Sequence, residues 1–117
     1  RLTFSFPPDH GAAIVELILS DTNLKEQWSN ELESMRKGML SLRFSLAESL
    51  KDRLKSDRFD FIANHRGMFS RLGLSKKNVE VLREEYGIYM ISDSRINIAG
   101  LQAEKIDILA SAVAKIL

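Results

Sequence analysis

The stretch "LKEQWSNELESMRKGMLSLRFSLAESLKDRL", Leu24 to Leu54, decides the fold. Leu24, Trp28, Leu32, Met35, Met39, Leu42, Leu46, Leu50 and Leu54 recur every three or four residues, which is the spacing of one helical face. Ser20, Asp21, Thr22 and Asn23 come just before, and several of these side chains suit a helix cap. About thirty residues of helix measure roughly 45 Å, against a diameter of about 35 Å for a chain of this length. Leu40, Phe44 and Ala47 draw a second apolar line beside the first. The helix is therefore longer and wider than its own domain can cover, and surface from outside these residues is expected to pack on it. Gly38, in mid-helix, costs about 1 kcal/mol relative to alanine, which so long an element tolerates.

Outward from this helix, "FSFPPDHG" holds both prolines and reads as an extended lead into a shorter helix. Ile14, Val15, Leu17, Ile18 and Leu19 make that helix apolar nearly all round, so burial is expected. On the other side, Phe59, Phe61 and Ala63 alternate as a strand and "NHRG" reads as a turn. Met68, Ser70 and Leu72 then alternate against Phe69 and Arg71, and a hairpin is the simplest pairing. Ser75 is suited to cap a helix carrying Val79, Leu82 and Tyr86, with Gly87 as its stop. Ile88 to Ile91 read as another strand, and after the turn Ser92-Asp93-Ser94 a further one holds Ile96, Ile98 and Ala99, with Asn97 on the opposite face. Ile106, Leu109, Ala110, Val113, Ile116 and Leu117 mark a closing amphipathic helix, with Glu104 in its first turn. The fold class is α+β, a small sheet covered by helices that include one long amphipathic helix. No repeat, low-complexity tract or linker divides the chain, so residues 1–117 read as a single domain.

Composition narrows the chemistry. Of 117 residues, 44% are apolar, enough for a real core. Seventeen basic and sixteen acidic residues leave a charge of +1, so no global field favours nucleic acid or an anionic membrane. There is no cysteine, which removes disulfides, thiolate nucleophiles and cysteine metal sites, and which fits a reducing, cytoplasmic setting. No apolar run reaches membrane-spanning length, and no signal-peptide pattern opens the chain. It starts at Arg1 instead of methionine, as expected of a processed chain or of a piece of something longer.

Few residues carry chemistry. His10 and His65 have no partner at a ligand spacing, so no metal site is expected. "GMFSRLG" is no phosphate loop, the serines lack a nucleophile elbow, and Lys76 and Lys77 have nothing to desolvate them. Most arginines punctuate the amphipathic helices and read as surface residues. Arg95 differs because it opens the run "RINIAG" straight after a turn. A guanidinium there either holds a carboxylate in two parallel hydrogen bonds or ends the strand in water.

Several segments together, "RLTFSFPPDHGAAIVELILSD", "WSNELESMRKGML", "DRFDFIANHRGMFSRLGLS" and "VEVLREEYGIYMISDSRINIAGL", resemble the C-terminal part of the pyridoxal-phosphate-dependent aspartate and aromatic amino acid aminotransferases of class I. The resemblance spans essentially the whole chain. It implies the small C-terminal domain of a fold-type I enzyme, a homodimer that transfers an amino group between an amino acid and a 2-oxo acid. It also implies that Arg95 binds the substrate's α-carboxylate and that Phe69 lines the same pocket, although an apolar residue on a strand suits a core equally. Arg1 would reach the neighbouring subunit's site and bind the distal carboxylate of a dicarboxylate. Where the family commonly has tyrosine, serine and asparagine before the two prolines, this chain has Phe4, Ser5 and Phe6, and Ser94 stands where glycine is usual. These departures bear on the substrate preference, above all on the choice between aspartate and an aromatic amino acid. The family's cofactor lysine and phosphate grip lie upstream, so no catalytic and no cofactor-binding residue is expected in this chain, and the chain alone is expected to be inactive. The competing reading is a carboxylate-binding or protein-interaction module that kept the fold without the catalysis.

Overall fold

The computed structural model describes residues 8–117. The chain divides into two units, residues 1–36 and 37–117, and Arg1 lies outside the described residues.

The first unit holds helix α1 (Asp9–Ser20) and the beginning of α2 (Thr22–Leu54). Between them Asp21 turns the chain and caps α2, its carboxylate accepting the Leu24 amide at 3.0 Å. The expected burial of α1 does not occur. None of its residues is buried, and Leu17 is 59% exposed. A helix that is apolar all round is buried only where something covers each side. Within this unit the rest is the start of α2, whose own Trp28, Leu32 and Met35 are exposed.

The second unit carries the core. The later half of α2 brings Leu46, Ala47 and Leu50 against Phe59, Ile62, Leu72, Leu82, Ile98, Ala110 and Val113. Helix α4 (Lys76–Tyr86) packs on α5 (Ile106–Ile116). The Ser75 hydroxyl caps α4 by accepting the Asn78 amide at 3.1 Å, and Gly87 ends it in the left-handed region at φ 64°. Glu104 falls in a short 3₁₀ turn, Ala103–Lys105, just ahead of α5.

The sheet has two strands, β1 (Phe69–Arg71) and β2 (Arg95–Asn97), paired antiparallel as Phe69 with Asn97, Ser70 with Ile96 and Arg71 with Arg95. The expected hairpin with residues 59–63 is replaced by helical turns ending in α3 (Phe61–Asn64). The Ile62 amide bonds to the Phe59 carbonyl at 3.0 Å, so both of these apolar residues turn inward at a spacing of three. Ile88 to Ile91, expected as a strand, take no regular secondary structure and have no ladder partner among the described residues. The strand read through Ala99 stops at Asn97, whose side chain accepts the Ala99 amide at 3.0 Å and starts a 3₁₀ turn, Ile98–Gly100. No described helix is long and apolar enough to cross a membrane.

Candidate carboxylate site

The alternation that begins β2 sends Ile96 inward and leaves Arg95 and Asn97 on the open face, with the same split of Ser70 against Phe69 and Arg71 on β1. The register makes Arg95 and Phe69 diagonal neighbours on that face. The Arg95 guanidinium carbon lies 5.7 Å from the Phe69 ring centroid. Both residues line a cleft of about 520 Å³, with Met90, Asn97, Leu101 and Leu109 among its walls. Phe69 is 54% exposed, so it belongs to the cleft and not to the core.

Arg95 makes no ion pair among the described residues, although an acidic side chain is close. The Asp93 carboxylate accepts the Arg95 backbone amide at 3.0 Å through one oxygen, and Arg71 donates to the other from Nη2 at 2.7 Å and from Nε at 3.2 Å. The Arg71 hydrogen bonds, the Arg95 amide and the positive charge of both guanidiniums hold the Asp93 carboxyl below the usual carboxylate range. A satisfied carboxylate leaves the neighbouring guanidinium available. A planar cation over an aromatic ring at the mouth of an apolar cleft suits a ligand with a carboxylate at one end and an apolar body beside it.

Beneath this face lies a residue that the sequence reading assigned to the surface. Arg43 is 1% exposed. It donates to the Ile62 carbonyl at 3.2 Å, the Ser70 hydroxyl at 2.6 Å, the Gly67 carbonyl at 2.7 Å and the Phe69 carbonyl at 3.2 Å. It thus ties α2 to the segment that carries Phe69. Burial, with Arg66 nearby, lowers its pKa from the ordinary arginine value. His65 lies 3.4 Å from the same Ser70 hydroxyl through Nδ1 and 5.1 Å from the Phe61 ring, between centroids.

The cleft offers one cation and no lysine among its described lining residues, so it suits a carboxylate and supplies neither an imine-forming amine nor a phosphate grip for pyridoxal phosphate. Of the sequence-derived candidates, Arg95 and Phe69 come together, while Arg1 lies outside the described residues.

The family model described as aminotransferase class I and II matches residues 1–113. The chain is 54% identical over 116 residues to an aromatic-amino-acid aminotransferase of Paracoccus denitrificans, covering 99% of this chain and 29% of that one. It is 36% identical over 117 residues to an aspartate aminotransferase of Haemophilus influenzae, covering 100% of this chain and 30% of the relative. Among solved structures, an aromatic amino acid aminotransferase with 3-indolebutyric acid superposes with a TM-score of 0.91 at 54% identity, over 97% of this chain and 29% of that chain. An aromatic-amino-acid aminotransferase from Burkholderia pseudomallei, covalently bound to pyridoxal phosphate, superposes with a TM-score of 0.90 at 42% identity, over 98% and 29% of the two chains. The chain therefore spans less than a third of the length of these relatives.

Proposed function

The chain belongs to the class I and II aminotransferases, and from that premise we propose that it is the C-terminal, substrate-binding domain of a larger two-domain transaminase acting on aromatic amino acids or aspartate. The observation that carries the reading is the Arg95 guanidinium, without an ion pair among the described residues, lying 5.7 Å from the Phe69 ring centroid at an apolar cleft.

In this reading Arg95 takes the α-carboxylate of the amino acid or 2-oxo acid in two parallel hydrogen bonds. That fixes the plane and direction of the substrate. The Phe69 ring restricts the guanidinium and gives the substrate an apolar surface. The relative solved with 3-indolebutyric acid supports an aromatic body beside a carboxylate. Arg1, when a dicarboxylate is bound in the partner subunit of a homodimer, takes its distal carboxylate. Pyridoxal phosphate is held mainly by residues that precede this chain in the whole enzyme, so the 117 residues alone do not transaminate. The absence of cysteine favours a cytoplasmic enzyme, in keeping with the amino acid substrates.

The test is Arg95→Ala in the full-length protein. Loss of a bidentate charge-assisted contact lowers kcat/KM for the amino acid by about 100-fold, with the cofactor absorbance retained. An unchanged KM would reject the carboxylate role.

A further inference from the structure

We propose that Ser94 is a positioning residue that fixes the direction of Arg95, an inference resting on the carboxylate role given to Arg95 above. Ser94 is fully buried and has a backbone φ of 61°, in the left-handed region that L side chains avoid. Glycine, usual at this place in the family the sequence resembles, would adopt that conformation freely.

What replaces this freedom is visible in the hydrogen bonds. The Ser94 hydroxyl accepts the backbone amides of Gly73 at 2.9 Å and Leu74 at 3.2 Å. Its carbonyl accepts the Leu72 amide at 3.0 Å, and its own amide donates to the Ile91 carbonyl at 2.8 Å. The segment leaving β1 is thus tied through one side chain to Ser94, the residue just before β2. Gly73 itself has a φ of 72°, so two left-handed residues face each other across this tie.

Arg95 is the next residue along. A rotation at Ser94 would swing the guanidinium away from Phe69 and out of the cleft, and the paired amide bonds oppose that rotation. The hydroxyl offsets the unfavourable φ and converts a flexible junction into a fixed one. Ser94 touches no substrate in this arrangement and acts through Arg95.

A double-mutant cycle in the full-length holoenzyme tests this. Ser94→Ala keeps the Cβ and the left-handed backbone but loses both amide bonds, and is expected to raise KM for the amino acid about tenfold with kcat within about twofold. On an Arg95→Ala background the same substitution should change KM by less than about twofold, because the group it directs is gone. Ser94→Gly, which relieves the backbone and so folds even where alanine does not, should raise KM by about threefold. Equal factors in both backgrounds, or no change with either substitution in a protein whose Arg95→Ala form shows a raised KM, would overturn the proposal. If Arg95→Ala itself leaves KM unchanged, the carboxylate role of Arg95 fails first and this inference with it.

Discussion

Arg71 and Arg95 stand directly opposite each other across the strand pair, two like charges that would repel were the Asp93 carboxylate not bonded to Arg71 at 2.7 Å. The relationship makes Arg71 a guard on the site. Arg71→Ala would free the Asp93 carboxylate, still held by the Arg95 amide, to compete for the Arg95 guanidinium. KM for the amino acid should rise by about threefold in the full-length enzyme, and the rise should shrink with added salt because the groups are exposed. A KM that does not move with this substitution at low salt would show that Asp93 never competes.

Arg43 holds Phe69 from beneath. Replacing it with methionine leaves four buried or half-buried acceptors without a donor, and should destabilise the protein by about 3 kcal/mol in denaturant unfolding. Arg43→Lys, whose single ammonium cannot span the same acceptors, should recover only part of that loss. Full recovery by lysine would mean that the charge matters and the fork of donors does not.

The helices were legible because their periods and punctuation agree: the stripe from Leu24 to Leu54, Ser75 and Gly87 at the ends of α4, and the face of α5 all appear as read. The β partner was not. Phe59-Asp60-Phe61-Ile62 satisfies both a period of two and a spacing of three, and only the core can choose between them. β1 finds its partner at Arg95–Asn97, a long-range pairing that no turn signal announces. Arg95 and Phe69 could be named from the sequence through the resemblance to a known family, yet their approach at one cleft follows from the register. Arg43 was missed because an arginine on an amphipathic helix usually snorkels to water. The signal was there in its spacing: Met39, Arg43, Ala47 and Leu50 form one line, which puts that guanidinium against the core.

Acid should weaken the second unit. Asp93 has a lowered pKa through its bond to Arg71, and Asp107 through its bonds to Ser49 and Arg53. A carboxyl lowered in the folded state stabilises it above the unfolded value of about 3.9, and that contribution is lost as pH falls through the lower folded value. The melting temperature should therefore fall as pH drops below about 5 and through the lowered folded values, and Asp93→Asn should flatten part of that slope. Parallel profiles for the two proteins would remove Asp93 as a source.

The apolar faces that the fold leaves open make a prediction for the isolated 117 residues. Ile14, Val15, Leu17 and Leu19 on α1 and Phe44 on α2 are each 45% exposed or more, far above what an unpartnered surface tolerates in one run of sequence. The second apolar line expected on the long helix is divided by the core, which buries Ala47 and leaves Phe44 outside. The isolated chain should self-associate, with light scattering rising as concentration increases, and Val15→Glu with Leu17→Lys should reduce that rise without altering the helical circular dichroism. A clean monomer at high concentration before any substitution would show that these side chains need no cover at all.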